Sequence, residues 1–259
     1  MGLPSGRETC YNPMQKGAMR MKTTLGHLRR ADEDFTLIEK GDHVGVGVSG
    51  GKDSLLLLYA LALYRKFDHK DFTLTAFTVT SGFEPFDLTA VRALCDRLEV
   101  PFIVEETQIG PIVFEHRQEK NPCALCAKMR RGVLVSLCRK HGCNKLALGH
   151  HREDAIDTLL MSILSEGRFH TFHPKTVLEG VTVIRPLVYL PEKEALHMQR
   201  KLALPVVKSP CPVNGDTQRA AMRDLMRRLQ KEYPEAPERI LHALMHDESY
   251  HLWQKERDG

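Results

Sequence analysis

The sequence predicts an α/β fold in which a parallel sheet is wrapped by helices, with further helices before and after it. Three observations carry this. Five apolar runs of strand length alternate with segments whose apolar residues recur at helical spacing. A strand, helix, strand repeat of this kind sets its strands parallel. A glycine-rich turn follows the first run, where a parallel sheet holds its ligands.

The predicted strands are 43–48 (HVGVGV), 72–79 (FTLTAFTV), 101–106 (PFIVEE), 145–150 (KLALGH) and 181–187 (VTVIRPL). Helical spacing covers 53–67, 87–98, 126–142, 153–167 and 192–204. A basic lead-in helix, TLGHLRRADEDFTLIEK (24–40), comes first, and beyond about residue 210 only helical patterns remain. The chain therefore divides into a tail with a basic helix over 1–40, an α/β body over 41–210 and a helical segment over 211–259.

Composition narrows the function. With 259 residues and 42% hydrophobic content, the chain can bury a full core. No apolar run approaches the roughly 18 residues of a membrane helix, and the N-terminal stretch lacks a signal peptide's apolar core, so a cytosolic protein without a membrane partner is expected. Seven cysteines, an odd number, argue against a disulfide framework and for metal or redox chemistry. The net charge of +4 conceals clustered basic residues, which suit a polyanion.

Three nucleotide motifs compete for HVGVGVSGGKDS. A Walker A loop fails, because Lys52 is followed by Asp53 where Ser or Thr should hold magnesium. Gly45-x-Gly47-x-x-Gly50 matches a dinucleotide fingerprint, with Asp68 near the distance for a ribose contact. The preceding IEKGD is polar and turn-like, however, so Gly45 and Gly47 must lie inside the strand. The turn is then Ser49, Gly50, Gly51, Lys52, Asp53 and Ser54, opening a helix whose N–H groups, hydroxyls and lysine would face phosphate. A plain helix-capping turn would need neither two glycines nor a lysine.

Cys123 and Cys126 form a C-x-x-C at a helix start, close enough to bind one metal or cluster. Cys211 lies between two prolines in a loop, where its side chain can face a site. Cys95 and Cys138 fall on helices and Cys143 by a glycine turn; these read as small buried apolar residues. Cys10 is given no role.

SGGKDS is the signature of the PP-loop ATP pyrophosphatases. Taken in order with CALCAKMRRG, LALGHHREDAIDTLL, IRPLVYLPEKE and SPCPVNGDTQR, it resembles the tRNA 2-thiocytidine synthetase (TtcA) family over about residues 20 to 245. The resemblance implies a PP-loop ATP-binding domain over 41–210 that binds ATP on Ser49 to Ser54, with Lys52 countering phosphate charge and Asp53 near Mg2+. It implies that the C2 oxygen of a loop cytidine, position 32 of a tRNA, is adenylated and then replaced by sulfur carried on a [4Fe–4S] cluster. Cys123, Cys126 and Cys211 match the cluster ligands. The family commonly has PCNLCG near the third cysteine; PCPVNGD here leaves Cys211 as the one candidate. GHHRED resembles a second family motif, in which His150 and Asp154 would contact nucleotide or metal. Arg185 would contact a phosphate. A tRNA, a sulfur donor such as a cysteine desulfurase and a homodimer are the partners this reading admits.

Arg219, Arg223 and Arg227 recur at i, i+4 and i+8, with Arg228 beside them, making one basic stripe on a helix. Arg130 and Arg131 follow the C-x-x-C, and Arg29 and Arg30 lie on the lead-in. Such residues suit phosphate contacts, which position an RNA without reading it; a solvated helix face is the plain alternative. Two other functions stay open on the residues alone. One is a different PP-loop tRNA enzyme, of 2-thiouridine or lysidine type. The other is a non-catalytic ATP-binding regulator holding zinc or Fe–S.

Overall fold

The structure, a computed structural model, describes residues 21–67, 70–83, 87–116, 122–208, 211 and 218–246. Cys10 and Asp68 lie outside the described residues. Contacts group the chain into two units, one within Met1–His151 and His173–Pro212, the other within Arg152–Phe172 and Val213–Gly259.

The first unit is built on a six-stranded sheet: β1 (His43–Gly47), β2 (Thr73–Val79), β3 (Phe102–Glu105), β4 (Lys145–Ala147), β5 (Lys175–Leu178) and β6 (Val181–Ile184). The order is β3-β2-β1-β4-β6-β5, parallel except for the β5–β6 pair. The five predicted strands are all present, each shorter than its apolar run. The addition is β5, an edge strand joined to β6 through Glu179 and Gly180. Both have positive φ, 49° and 82°, as a two-residue hairpin turn requires.

Helices α1 (Lys22–Phe35), α2 (Lys52–Phe67), α3 (Thr89–Arg97), α4 (Pro122–Lys140) and α6 (Glu192–Lys201) lie in this unit, with a short helical turn Ile109–Pro111 and a π-helical turn Ile112–His116 ahead of α4. α2 is apolar nearly all round and buried from Leu55 to Leu58 and from Ala60 to Tyr64, as expected of a helix enclosed by the fold. The opposite end of the sheet is fixed by buried ions: Lys145 Nζ sits 2.6 Å from Asp42, and Asp32 on α1 accepts from the Ile38 N–H and the Tyr64 hydroxyl, both at 2.8 Å. On the lead-in helix, Arg29 and Arg30 make exposed i,i+4 pairs with Glu33 and Asp34.

Gly45 and Gly47 do lie inside β1, for a packing reason. A Cβ at Gly45 would stand 2.6 Å from Cys138 Sγ on α4 and 2.7 Å from the Phe77 ring; one at Gly47 would stand 3.0 Å from Leu148. The glycines let α4 settle onto β1, in a core that holds Phe77, Val135, Leu137, Cys138, Leu146 and Val183. Cys95, Cys138 and Cys143 are buried, as read; burial pushes the Cys95 thiol up to about 11.

The second unit is helical: α5 (Arg152–Glu166), α7 (Gln218–Glu232) and α8 (Ala236–Met245) pack on one another. No helix among the described residues is long and apolar enough to cross a membrane.

Candidate ATP and thiol site

Strand order reverses between β1 and β4, since β1 leads away to β2 and β3 while β4 lies on its other side. Ligands of open α/β sheets bind in the crevice beyond the carboxyl ends of such strands. The turns after β1 and β4 both open there, and they touch. A Cβ on Gly149, just past β4, would stand 2.9 Å from the Asp53 carbonyl oxygen and 3.0 Å from the Ser54 nitrogen.

The β1 turn is tied by its own hydroxyls. The Ser54 hydroxyl donates to the Gly51 carbonyl at 2.9 Å and accepts from the Ser49 N–H at 3.1 Å. The Ser49 hydroxyl accepts from the Gly51 N–H at 3.3 Å and lies 3.2 Å from that of Ser54. Gly50, at φ +79°, supplies the left-handed backbone that the reversal needs. The first bond of α2 runs from the Leu55 N–H to the Gly51 carbonyl at 3.2 Å. The N–H groups ahead of it belong to a helix start, which has no intrahelical acceptors to offer them and favours anions.

Lys52 Nζ lies 2.9 and 2.8 Å from the Asp53 carboxylate oxygens and 3.1 Å from Glu192 Oε1. Burial alone would lower the Lys52 ammonium; Asp53 and Glu192 outweigh it and hold its pKa above the ordinary value. His151 Nε2 completes the group, 4.0 Å from Asp53 and 3.9 Å from Glu192. Glu192 and His151 were not singled out in the sequence. Glu192 sits in the quoted LPEKE, and His151 is the neighbour of the chosen His150. His151 is buried, at 1% exposure, whereas His150 is half-buried.

Arg185 is no surface residue: it is 3% exposed, and its Nη1 donates to the His173 carbonyl at 2.6 Å. Burial draws its pKa down to about 10, with the Arg131 charge adding to the effect.

The C-x-x-C opens α4, with Pro122 as its first residue, a position that suits proline. Cys123 and Cys126 stand three apart on one helix face near its start. Burial raises the Cys126 thiol, Arg130 opposes this, and Cys211 and Cys123 raise it further. Cys211 and Cys123 thus lie within electrostatic reach of Cys126. None of the three is in a disulfide, and all are at least partly accessible. Arg130 Nε is buried with no hydrogen-bond partner among the described residues, an unused donor next to sulfur. Three thiols and an orphaned cationic donor fit a thiolate-bound, electron-rich group. Among the described residues no three His, Cys, Asp or Glu side chains are drawn in to metal-binding spacing.

The two halves of the site are joined by the chain itself. The Val207 N–H donates to the Gly50 carbonyl at 3.0 Å, fastening the segment after α6 to the phosphate turn. Cys211 follows four residues later, so at most about 14 Å of extended chain separates it from Val207.

Asp154 belongs to the second unit, on the first turn of α5, where Arg219 Nη1 and Arg223 Nη2 approach it at 3.6 and 3.7 Å. Arg223 Nε also donates to Asp157 at 3.1 Å. Arg219 and Arg223 thus pair α7 with α5. Arg227 meets Asp224 on the exposed surface at 2.9 Å, and Arg228 is exposed.

Residues 21–229 match the family model of the PP-loop domain. The tRNA-cytidine(32) 2-sulfurtransferase of Geobacter metallireducens is 38% identical over 247 residues, covering 93% of this chain and 95% of its own. That of Citrifermentans bemidjiense is 36% identical over 241 residues, covering 91% and 93%. Among solved structures, the U34-tRNA thiolase NcsA from Methanococcus maripaludis with its [4Fe–4S] cluster superposes with a TM-score of 0.72 at 26% identity, over 90% of this chain and 80% of that one. The chain belongs to the PP-loop family and, within it, to the tRNA 2-thiocytidine synthetases.

Proposed function

We propose that the protein thiolates tRNA at the expense of ATP, converting a loop cytidine, position 32 as in the names of its relatives, to 2-thiocytidine. The observation that supports this reading most is the Val207 N–H bond to the Gly50 carbonyl, four residues before Cys211, a short tether between the glycine turn and one of the three cysteines.

The chemistry needs both. The C2 oxygen attacks the α-phosphorus, pyrophosphate leaves and the oxygen becomes part of an AMP leaving group; sulfur then attacks C2 and AMP departs. Within the turn from Ser49 through Gly50 and Gly51 to Ser54, the N–H groups not already held by the Ser49 and Ser54 hydroxyls would face phosphate, while Lys52 neutralises the charge that grows on the leaving pyrophosphate. Asp53 would be the carboxylate that holds Mg2+, which would supply charge neutralisation for the phosphates. His150, Asp154 and Arg185 are the further ATP contacts of this proposal. Cys123, Cys126 and Cys211 would hold a [4Fe–4S] cluster, which supplies an iron position able to carry sulfur. Arg130 offers its unused donor to sulfur there.

For RNA, Arg130, Arg131, Arg219, Arg223, Arg227 and Arg228 supply positive charge, with Arg227 and Arg228 the more available of the α7 stripe. An unpaired loop base is the kind a protein can splay out and stack. A sulfur donor of the cysteine desulfurase type, a cytosolic location and a homodimer belong to the same proposal. So does a division into a lead-in over 1–40, an ATP-binding body over 41–210 and a helical segment over 211–259, in which α5 is counted with the body.

The test begins with iron, sulfide and zinc analysis of protein purified without oxygen. About four irons and matching labile sulfide per chain are expected, with 2-thiocytidine formed in tRNA on addition of ATP and a sulfide source. Replacing any one of Cys123, Cys126 or Cys211 by Ala should abolish iron binding and leave ATP binding within about twofold, as expected for separate sites. Tightly bound zinc with no iron after reconstitution would instead indicate an ATP-binding zinc regulator. A lysidine or 2-thiouridine product would move the protein to another PP-loop branch.

A further inference from the structure

Lys52 faces two carboxylates. Asp53 is its neighbour at the start of α2. Glu192 is different: it comes from the first residue of α6, brought to Lys52 by the packing of α6 on α2. Its Oε1 lies 3.1 Å from Lys52 Nζ, and both side chains are only about a quarter exposed, at 26% and 23%. A lysine ammonium has three N–H donors. With Asp53 at 2.9 and 2.8 Å and Glu192 at 3.1 Å, those donors are engaged before any phosphate arrives. The raised Lys52 pKa has the same origin: the carboxylates overcome the cost of burial.

We propose that Glu192 is a positioning residue for ATP, a counter-ion that holds Lys52 while the phosphate turn is empty and yields it to the phosphates of the incoming nucleotide. This rests on the reading of the turn as the site of the ATP pyrophosphate. Two effects follow from charge alone. Phosphate must displace the Glu192 carboxylate from Lys52, and the displaced carboxylate then repels the phosphate beside it. Both weaken binding of ATP and of pyrophosphate. Both also favour release, because Glu192 recaptures Lys52 as pyrophosphate leaves. AMP, which lacks the β- and γ-phosphates, is indifferent to the exchange.

The experiment is calorimetric titration of ATP, pyrophosphate and AMP, each with magnesium, into the full chain and its Glu192→Gln variant. The Gln variant should bind ATP and pyrophosphate about two- to fivefold more tightly, the range for a partly exposed ion pair, and bind AMP as before. Glu192→Asp, which keeps the charge on a shorter stem, should fall between and provides the comparison if the Gln variant folds poorly. The gain should vanish in a Lys52→Met background. A merely structural Glu192 would weaken all three ligands together or none. Equal affinities in the two proteins, or uniform weakening in a variant with native circular dichroism, would overturn the proposal. Absence of ATP and pyrophosphate binding by the unaltered protein would instead overturn the reading of the turn itself.

Discussion

A single hydrogen in place of a methyl group at Gly149 lets the turn after β4 lie against the backbone of Asp53. A Cβ there would meet the Asp53 carbonyl oxygen at 2.9 Å and its carbon at 3.0 Å, and backbone cannot swing aside as a side chain can. Gly149→Ala is therefore expected to push the start of α2 away, costing about 1–3 kcal/mol in urea unfolding. ATP affinity should fall by about tenfold or more, since small displacements of positioning groups are costly; titration of the variant with ATP checks it. The same reasoning separates the glycines of GVGVSGG. Gly45 and Gly47 make room for Cys138, Phe77 and Leu148, and Gly50 turns the chain at φ +79°. The sequence could place Gly45 and Gly47 in a strand because IEKGD is too polar to be one. It could not say what either would touch, since their neighbours lie some 30 to 100 positions away.

At the scale of elements, the Arg219, Arg223, Arg227 stripe was legible as a helical period. Its partners were not. Asp154 and Asp157 lie on α5, more than sixty positions earlier, and local spacing carries no record of which helix a stripe will meet. Asp157 is 1% exposed, and burial raises its carboxyl above the ordinary value; Arg223 and Arg219 oppose the shift while Asp154 adds to it. A raised carboxyl favours the fold most below its unfolded pKa, and that contribution is lost as pH climbs through the folded value. Arg223→Ala removes the chief opposing charge, so the Asp157 pKa should climb further. The variant is expected to lose about 1–2 kcal/mol at neutral pH, a discounted figure because Arg223 is itself partly exposed. The gap from the unaltered protein should shrink as acid neutralises Asp157 in both, which thermal unfolding at pH 7 and pH 4 would follow. Other elements were hidden for related reasons. β5, KTVL, is too short and too exposed to alternate visibly. The run KLALGH ends as a strand at Ala147, which leaves His150 and His151 in a turn where strand alternation cannot choose between them. Glu192 stood in a quoted motif, but only tertiary packing puts it on Lys52.

For the whole molecule the question is how a chain of net charge +4 would hold a polyanion. Half of the basic stripe is already neutralised by Asp154 and Asp157, so a count of arginines overstates what RNA can use. The exposed pair, Arg227 and Arg228, retains charge that RNA phosphates can meet, even with Asp224 beside Arg227. Each phosphate neutralised releases counterions and steepens the salt dependence of binding, by about 0.9 per contact on duplex and 0.7 on single strand. Replacing Arg227 and Arg228 by Ala should therefore flatten a plot of log affinity for tRNA against log salt by about 1.4 to 1.8. Selectivity for the modified cytidine should be unchanged, because phosphate contacts position an RNA without reading it. The Arg219→Ala, Arg223→Ala pair should instead act first on stability. A slope unchanged by the loss of Arg227 and Arg228 would remove α7 from the RNA-binding surface.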